Sequence, residues 1–237
     1  MGEHLDRGEL VLSAFKHDYT LEKCDLGADA VLSKGIVKFW TEAWRVGDVG
    51  HLCIMRMRAF FGLMRMETAI FAPTAIDAPL FNIDWMGVFK TEAQIAEFYD
   101  VQLQPWPDVF QAELKSVSDE IADLPDMESD PHWYDDLLYP CSCGKKGKDI
   151  TSRLAAAARD YTAAYVAQLP LLPTCDRQQK AEKVRSFAER LYADGGVAVQ
   201  QMTRLFGSET ARRMVVQHMY GVEPTDDAAN EYVEINA

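Results

Sequence analysis

Short apolar runs broken by turn residues occupy the middle of the chain, and longer runs with three- and four-residue spacing occupy its second half. Residues 51–61, HLCIMRMRAFF, partly alternate apolar and polar positions, the mark of a strand with two different faces. A Gly-Leu pair turns the chain, and MRMETAIFAP continues in the same manner. PLFNIDWMGVF predicts a third strand. IAEFYDVQLQ reads as a fourth strand or as the start of a helix, and VFKTEAQIAEF, with Thr91 before Glu92, is compatible with a short helix. Neighbouring strands joined by short turns predict an antiparallel sheet. Upstream, residues 28–46 carry Val31, Leu32, Val37, Phe39, Trp40 and Trp44 at spacings that predict a helix face, ended by GDVG.

The second half reads as helical. PDVFQAELKSVSDEIADL places Val109, Phe110, Leu114, Val117 and Ile121 on one helical face. PDMESDPHWYDD is an acidic, proline-bearing loop. Residues 150–169 form an alanine-rich helix with a Thr/Ser start and a PLLP stop. RQQKAEKVRSFAERLYADGG ends in a Gly pair suited to a C-cap. VAVQQMTRLFG and SETARRMVVQHMYG follow, with Ser208, Glu209 and Thr210 as a candidate N-cap group. Helices before and after a central sheet give an α+β fold, a three-layer α/β/α sandwich with a central antiparallel sheet flanked by helices. No repeat or linker interrupts residues 1–237, which are read as one domain with a loose acidic tail at about 223–237.

Charge narrows the function. The chain of 237 residues carries a formal net charge of −13, which argues against a nucleic-acid partner. Local basic character is confined to stretches such as CGKKGK, residues 143–148, and EKVRSFAERL, residues 182–191. No apolar run reaches the roughly 20 residues needed to span a bilayer, so no membrane is expected. MGEHLDRGEL shows no secretory or mitochondrial signal, and GEHLDR lacks the Ser/Thr of a myristoylation signal. The five cysteines are odd in number and widely spaced, which fits free thiols in a reducing compartment rather than a disulfide framework. Cys141 and Cys143 stand too close for the usual Cys-x-x-Cys metal geometry, so no metal is expected.

Nucleotide, flavin and zinc fingerprints such as G-x-G-x-x-G, Walker A and H-E-x-x-H are absent, as is G-x-S-x-G. Two carboxylates remain: Glu67 in LMRMETAIF and Asp84 in PLFNIDWMG, each among bulky apolar residues. Burial raises a carboxyl's pKa and turns it into a proton donor near neutral pH; an outward position on an alternating strand would leave it an ordinary solvated acid. Arg56, Arg58 and Arg65 are candidates for bidentate contact with anionic substrate groups, or for an exposed strand face. The methionines and tryptophans read as core, and His51, His132 and His218 show no ligand pairing.

AIFAPTAIDAPLFNIDWMG resembles the central block of the ferredoxin-dependent bilin reductases, in which a Pro–hydrophobic–Phe–Gly–x–Asp strand follows a proline-bearing loop. Here it reads Pro79, Leu80, Phe81, Asn82, Ile83, Asp84. HWYDDLLYPCS resembles the family's Trp-containing strand, and RLYADGGVAVQQMTRLFGSETARRMVVQHMYG its closing helices. The blocks run from about residue 65 to 222. Asn82 stands where the family usually has Gly, Glu67 where one branch has His, and Gly195 where Pro often follows the C-terminal aspartate.

The resemblance implies a single α/β/α domain that reduces biliverdin IXα, or a bilin derived from it, as in phycobilin biosynthesis. No cofactor is bound in the family. Electrons arrive singly from reduced ferredoxin or flavodoxin, and the protein protonates a bilin radical. The implied catalytic groups are Asp84, Glu67 and Asp194. Arg56, Arg58, Arg65, Phe81 and Asn82 are the implied bilin contacts, and Lys145, Lys146 and Lys148 the docking site for the acidic donor. The implied setting is a monomer in the cytoplasm, or in a plastid where a leader has been removed. Rival readings are a non-catalytic tetrapyrrole carrier, a reductase of a chlorophyll catabolite, and an unrelated hydrolase or lyase using paired carboxylates.

Overall fold

A computed structural model describes residues 6–128 and 130–223; most of the acidic tail and the N-terminal pentapeptide lie outside the described residues. Helix α1 (Arg7–Asp18) leads into strands β1 (Leu21–Lys23), β2 (Val31–Lys34), β3 (Val37–Val46), β4 (Gly50–Ala59), β5 (Met64–Pro73), β6 (Leu80–Val88) and β7 (Thr91–Tyr99). Helix α2 (Asp108–Glu120), strand β8 (Cys143–Lys148) and helices α3 (Thr151–Gln168), α4 (Arg177–Asp194), α5 (Val197–Phe206) and α6 (Ser208–Arg212) follow. Helix α6 runs on as a π-helical segment, Arg213–Met219.

The strands form one antiparallel sheet in the order β1-β3-β4-β5-β6-β7-β8, with β2 also paired to β3. Side chains alternate between its two faces. On the first face Ile54, Phe71, Phe81, Trp85 and Phe98 pack against α1, α2 and α3 in one continuous core. On the second face the core is split. One cluster joins Ile70, Ala72, Leu80 and Tyr99 to α4 and the π-helical segment. The other joins Phe39, Met55 and Met57 to Met202 and Met214. Helices therefore cover both faces, in the expected α/β/α layering.

The helix expected over residues 28–46 is instead a 3₁₀ turn, Gly27–Ala30, followed by β2 and β3. Strand β3 buries apolar groups on both faces, Phe39 and Ala43 on one and Trp44 and Val46 on the other. Apolar positions on both faces blur the two-residue period into one resembling a helix. The same two-sided burial turns VFKTEAQIAEF into β7 rather than a short helix. Gly195 ends α4 in the left-handed conformation, φ 63°, as a C-cap glycine should. Ser208 caps nothing: Gly207 holds the N-cap position of α6, without a side-chain bond.

Candidate functional site

The gap between the two second-face clusters is a cavity of about 570 Å³. Its floor is the middle of β5, β6 and β7; α4, α5, the π-helical segment and the chain around residues 127–144 wall it in. The floor is polar. Thr68, Asn82, Asp84 and Glu97 all line it. Cross-strand register brings them together, since Thr68 lies opposite Asp84 and Asn82 opposite Glu97.

The Asp84 carboxyl borders the cavity but is ringed by protein. Burial pushes its pKa up to about 6, and the nearby charge of Glu97 adds to the rise, while the hydrogen bond from the Thr68 hydroxyl (2.9 Å) works against it. Burial likewise raises Glu97, opposed by bonds donated from the Tyr99 hydroxyl (2.6 Å) and Asn82 Nδ2 (2.9 Å). The other amide atom of Asn82, Oδ1, is buried and unpartnered among the described residues. A buried acceptor without a donor costs about 1–3 kcal/mol, which a ligand N–H would recover. Tyr134 is pushed up to about 12, and Tyr220 and Tyr99 above their ordinary values, by burial and then by Glu97. His132 stacks on Tyr134 at 4.8 Å. The cavity thus holds two partly buried carboxyls with raised pKa values, bordered by phenols, an imidazole and apolar walls.

The remaining sequence-derived candidates divide sharply. Asp194 is at the cavity rim, paired with Arg190 at 3.4 Å, and Arg190 lies 4.2 Å over the Trp133 ring. Glu67 is on the opposite face of the sheet, because Thr68 holds the position facing Asp84 and strand alternation turns the preceding residue away. There Glu67, 4% exposed, accepts the Arg7 backbone N–H at 2.6 Å at the start of α1. Arg56, Arg58 and Arg65 share that opposite face. Arg56 pairs with Asp6 and Glu42; Arg58 lies over Trp40 and Arg65 over Trp85. Phe81 is stacked between Phe98 and Tyr165 in the first-face core. None of these five borders the cavity.

Nor do the three lysines make one surface. Lys145 is 6% exposed and donates to Asp126 (2.6 Å) and the Leu124 carbonyl (3.1 Å), while Lys146 and Lys148 are exposed. CGKKGK is an edge strand, β8, and alternation sends Lys145 inward. Sequence reasoning missed Thr68, Glu97, Tyr99, His132, Tyr134 and Tyr220. The signal for Glu97 is its two-residue spacing from Ile95 and Tyr99, which matters only once Asn82 is known to sit opposite.

No family model matches the chain, and no curated protein matches it in sequence. Among solved structures, phytochromobilin synthase from tomato, crystallised in complex with biliverdin, is similar with a TM-score of 0.73. The match covers 97% of this chain and 89% of that one, at 13% sequence identity. At that identity the likeness is one of fold.

Proposed function

We propose that the chain is one bilin-reductase-like domain that binds a linear tetrapyrrole of the biliverdin class in the cavity and reduces it. The carrying observation is Asp84, a carboxyl with its pKa raised to about 6 in the floor of a ligand-sized cavity. The fold shared with a protein crystallised with biliverdin supports the same reading.

In this reading two electrons, delivered singly by a ferredoxin-type donor, and two protons reduce one double bond of the pigment. Each electron adds negative charge to the bound bilin. The protonated Asp84 donates its proton to that charge, and the resulting carboxylate is stabilised by the Thr68 hydroxyl. At neutral pH about a tenth of a carboxyl with this pKa is protonated, and an anion beside it raises the fraction. Glu97, with Tyr99, holds the second proton. Asn82 Oδ1 accepts from a pyrrole or lactam N–H. Arg190, paired with the rim residue Asp194 and lying over Trp133, meets a propionate in place of the three arginines turned to the far face, and Asp194 orients it.

An anaerobic absorbance assay tests this. Biliverdin is added to the protein, followed by a reduced-ferredoxin system. A red-shifted bound spectrum that converts to a pigment of shorter conjugation is expected. Binding without conversion would leave a carrier. An unchanged spectrum at both steps would overturn the proposal.

A further inference from the structure

Three connections at one end of the sheet carry an unusual surface. They are the β2–β3 turn at Gly35 and Ile36, the β4–β5 connection from Phe60 to Leu63, and the β6–β7 turn at Phe89 and Lys90. The last two are tied together by the Phe89 N–H donating to the Leu63 carbonyl at 3.0 Å. Phe61 is 95% exposed and Phe89 74%, with Ile36, Phe60 and Leu63 each roughly half exposed. Phe60, Phe61 and Phe89 all have left-handed backbone, φ 50°, 56° and 54°. Bulky residues rarely adopt it, and such strain gathers at functional places.

Charge at this end opposes that of the chain as a whole. Lys34, Lys38, Arg58, Lys90 and Lys148 are exposed and Arg65 is partly so. Glu92 and Asp149 are the acids at the same strand ends, and Glu92 is engaged by Arg7, Trp85 and Thr151. Lys38, Arg58 and Arg65 are direct cross-strand neighbours on β3, β4 and β5. Like charges directly opposite one another destabilise a sheet, and the contacts of Lys38 and Arg58 with the Trp40 ring and of Arg65 with the Trp85 ring leave the row without a counter-charge of its own among the described residues. In a chain of net charge −13, six cations around exposed aromatics select an anionic partner.

We propose that this end of the sheet is a peripheral attachment site for an anionic lipid surface, with the Phe61 and Phe89 rings inserted between headgroups and the cations paired to lipid phosphates. The apolar groups project from the tips of neighbouring connections, where they enter a bilayer side by side. Phenylalanine suits the headgroup–acyl boundary, and lysine and arginine stems reach outward from it to charge. Among the described residues no helix is long and apolar enough to cross a membrane, and surface attachment needs none. The proposal does not depend on the reaction assigned to the cavity.

Vesicle co-sedimentation tests it, with phosphatidylcholine vesicles containing about a third phosphatidylglycerol against phosphatidylcholine alone. The intact chain should bind the anionic vesicles and release as salt rises. Phe61→Ser with Phe89→Ser should weaken binding at least about tenfold. Lys38→Gln with Arg58→Gln should abolish the preference for anionic lipid. Thermal melts verify that each variant is folded. A Phe61→Trp variant adds a blue shift in emission on mixing. Failure of the folded wild-type chain to bind anionic vesicles at low salt would overturn the proposal. So would equal binding by the double serine variant, or capture of an acidic soluble protein by this patch without lipid binding.

Discussion

Asp84→Asn exchanges a partly buried carboxyl for a neutral group of nearly the same shape. The Thr68 hydroxyl can still donate to the amide oxygen, so the floor of the cavity keeps its packing. What changes is charge. Folding raises the Asp84 pKa from 3.8 to about 6. A rise of about two units corresponds to about 3 kcal/mol against the ionised form. A carboxyl bordering a cavity that admits water is less desolvated than one sealed in protein, which brings the range to about 1–3 kcal/mol. The sign follows from linkage: the folded chain binds this proton more tightly than the unfolded chain. Stability tied to Asp84 is therefore intact below about pH 4 and is lost as pH rises through about 6. Asp84→Asn removes the loss. The variant should be more stable than wild type by about 1–3 kcal/mol at about pH 8, and equal to it at about pH 4. Urea unfolding of both proteins at the two pH values gives the number, and taking the difference cancels the titrating groups that are not coupled to Asp84. The same variant should bind pigment and lose turnover by about 10²–10⁴-fold, since it has no proton to give. A stability difference that is the same at both pH values, or a variant less stable at pH 8, would refute the placement of a strained carboxyl in the cavity.

Glu97→Gln removes the like charge beside Asp84 and should move the basic limb of the turnover–pH profile to lower pH, because the Asp84 pKa falls. Glu67→Gln should leave pigment binding and product distribution unchanged while weakening the α1 contact, detectable as a lower unfolding midpoint; an altered product distribution would return Glu67 to the reaction. Lys180 is fully buried and donates to Asp77 (3.2 Å) and to the Ala78 and Val101 carbonyls, so Lys180→Met should cost about 3–5 kcal/mol in urea unfolding. A loss under about 1 kcal/mol would show that Asp77 is satisfied by the Leu103 and Gln104 N–H groups alone.

The layering was legible because the long helix periods of the second half contrast with the short, turn-broken strand runs of the middle. Residues 150–169 and 177–196 predicted α3 and α4 to within a residue or two. Strand β3 was not legible, since a strand buried on both faces shows no clean alternation. Asp84 stood out as an acid in an apolar strand, and its side chain borders the cavity. Glu67 fitted the same description in sequence. The two differ by one fact that sequence spacing does not carry, the register of β5 on β6. Arg56, Arg58, Arg65 and Phe81 went to the far face for the same reason: parity along a strand is visible, but which parity faces the ligand is set by pairing. Lys145 looked like a free cation because its partners, Asp126 and the Leu124 carbonyl, come from a loop with no pattern of its own.

The divided core of the second face has a consequence for how the molecule breathes. Helices α1 to α3 are held to the sheet by one unbroken apolar layer, whereas α4 to α6 are held by two islands with the cavity between them. Separating the second layer exposes less apolar surface than separating the first, so it opens at lower free energy. Native-state amide exchange should then divide the chain, with the slowest protons in β5, β6 and α3 and a faster cooperative unit spanning α5 and the π-helical segment. A ligand filling the cavity would join the two islands into one layer and slow exchange in that unit above all.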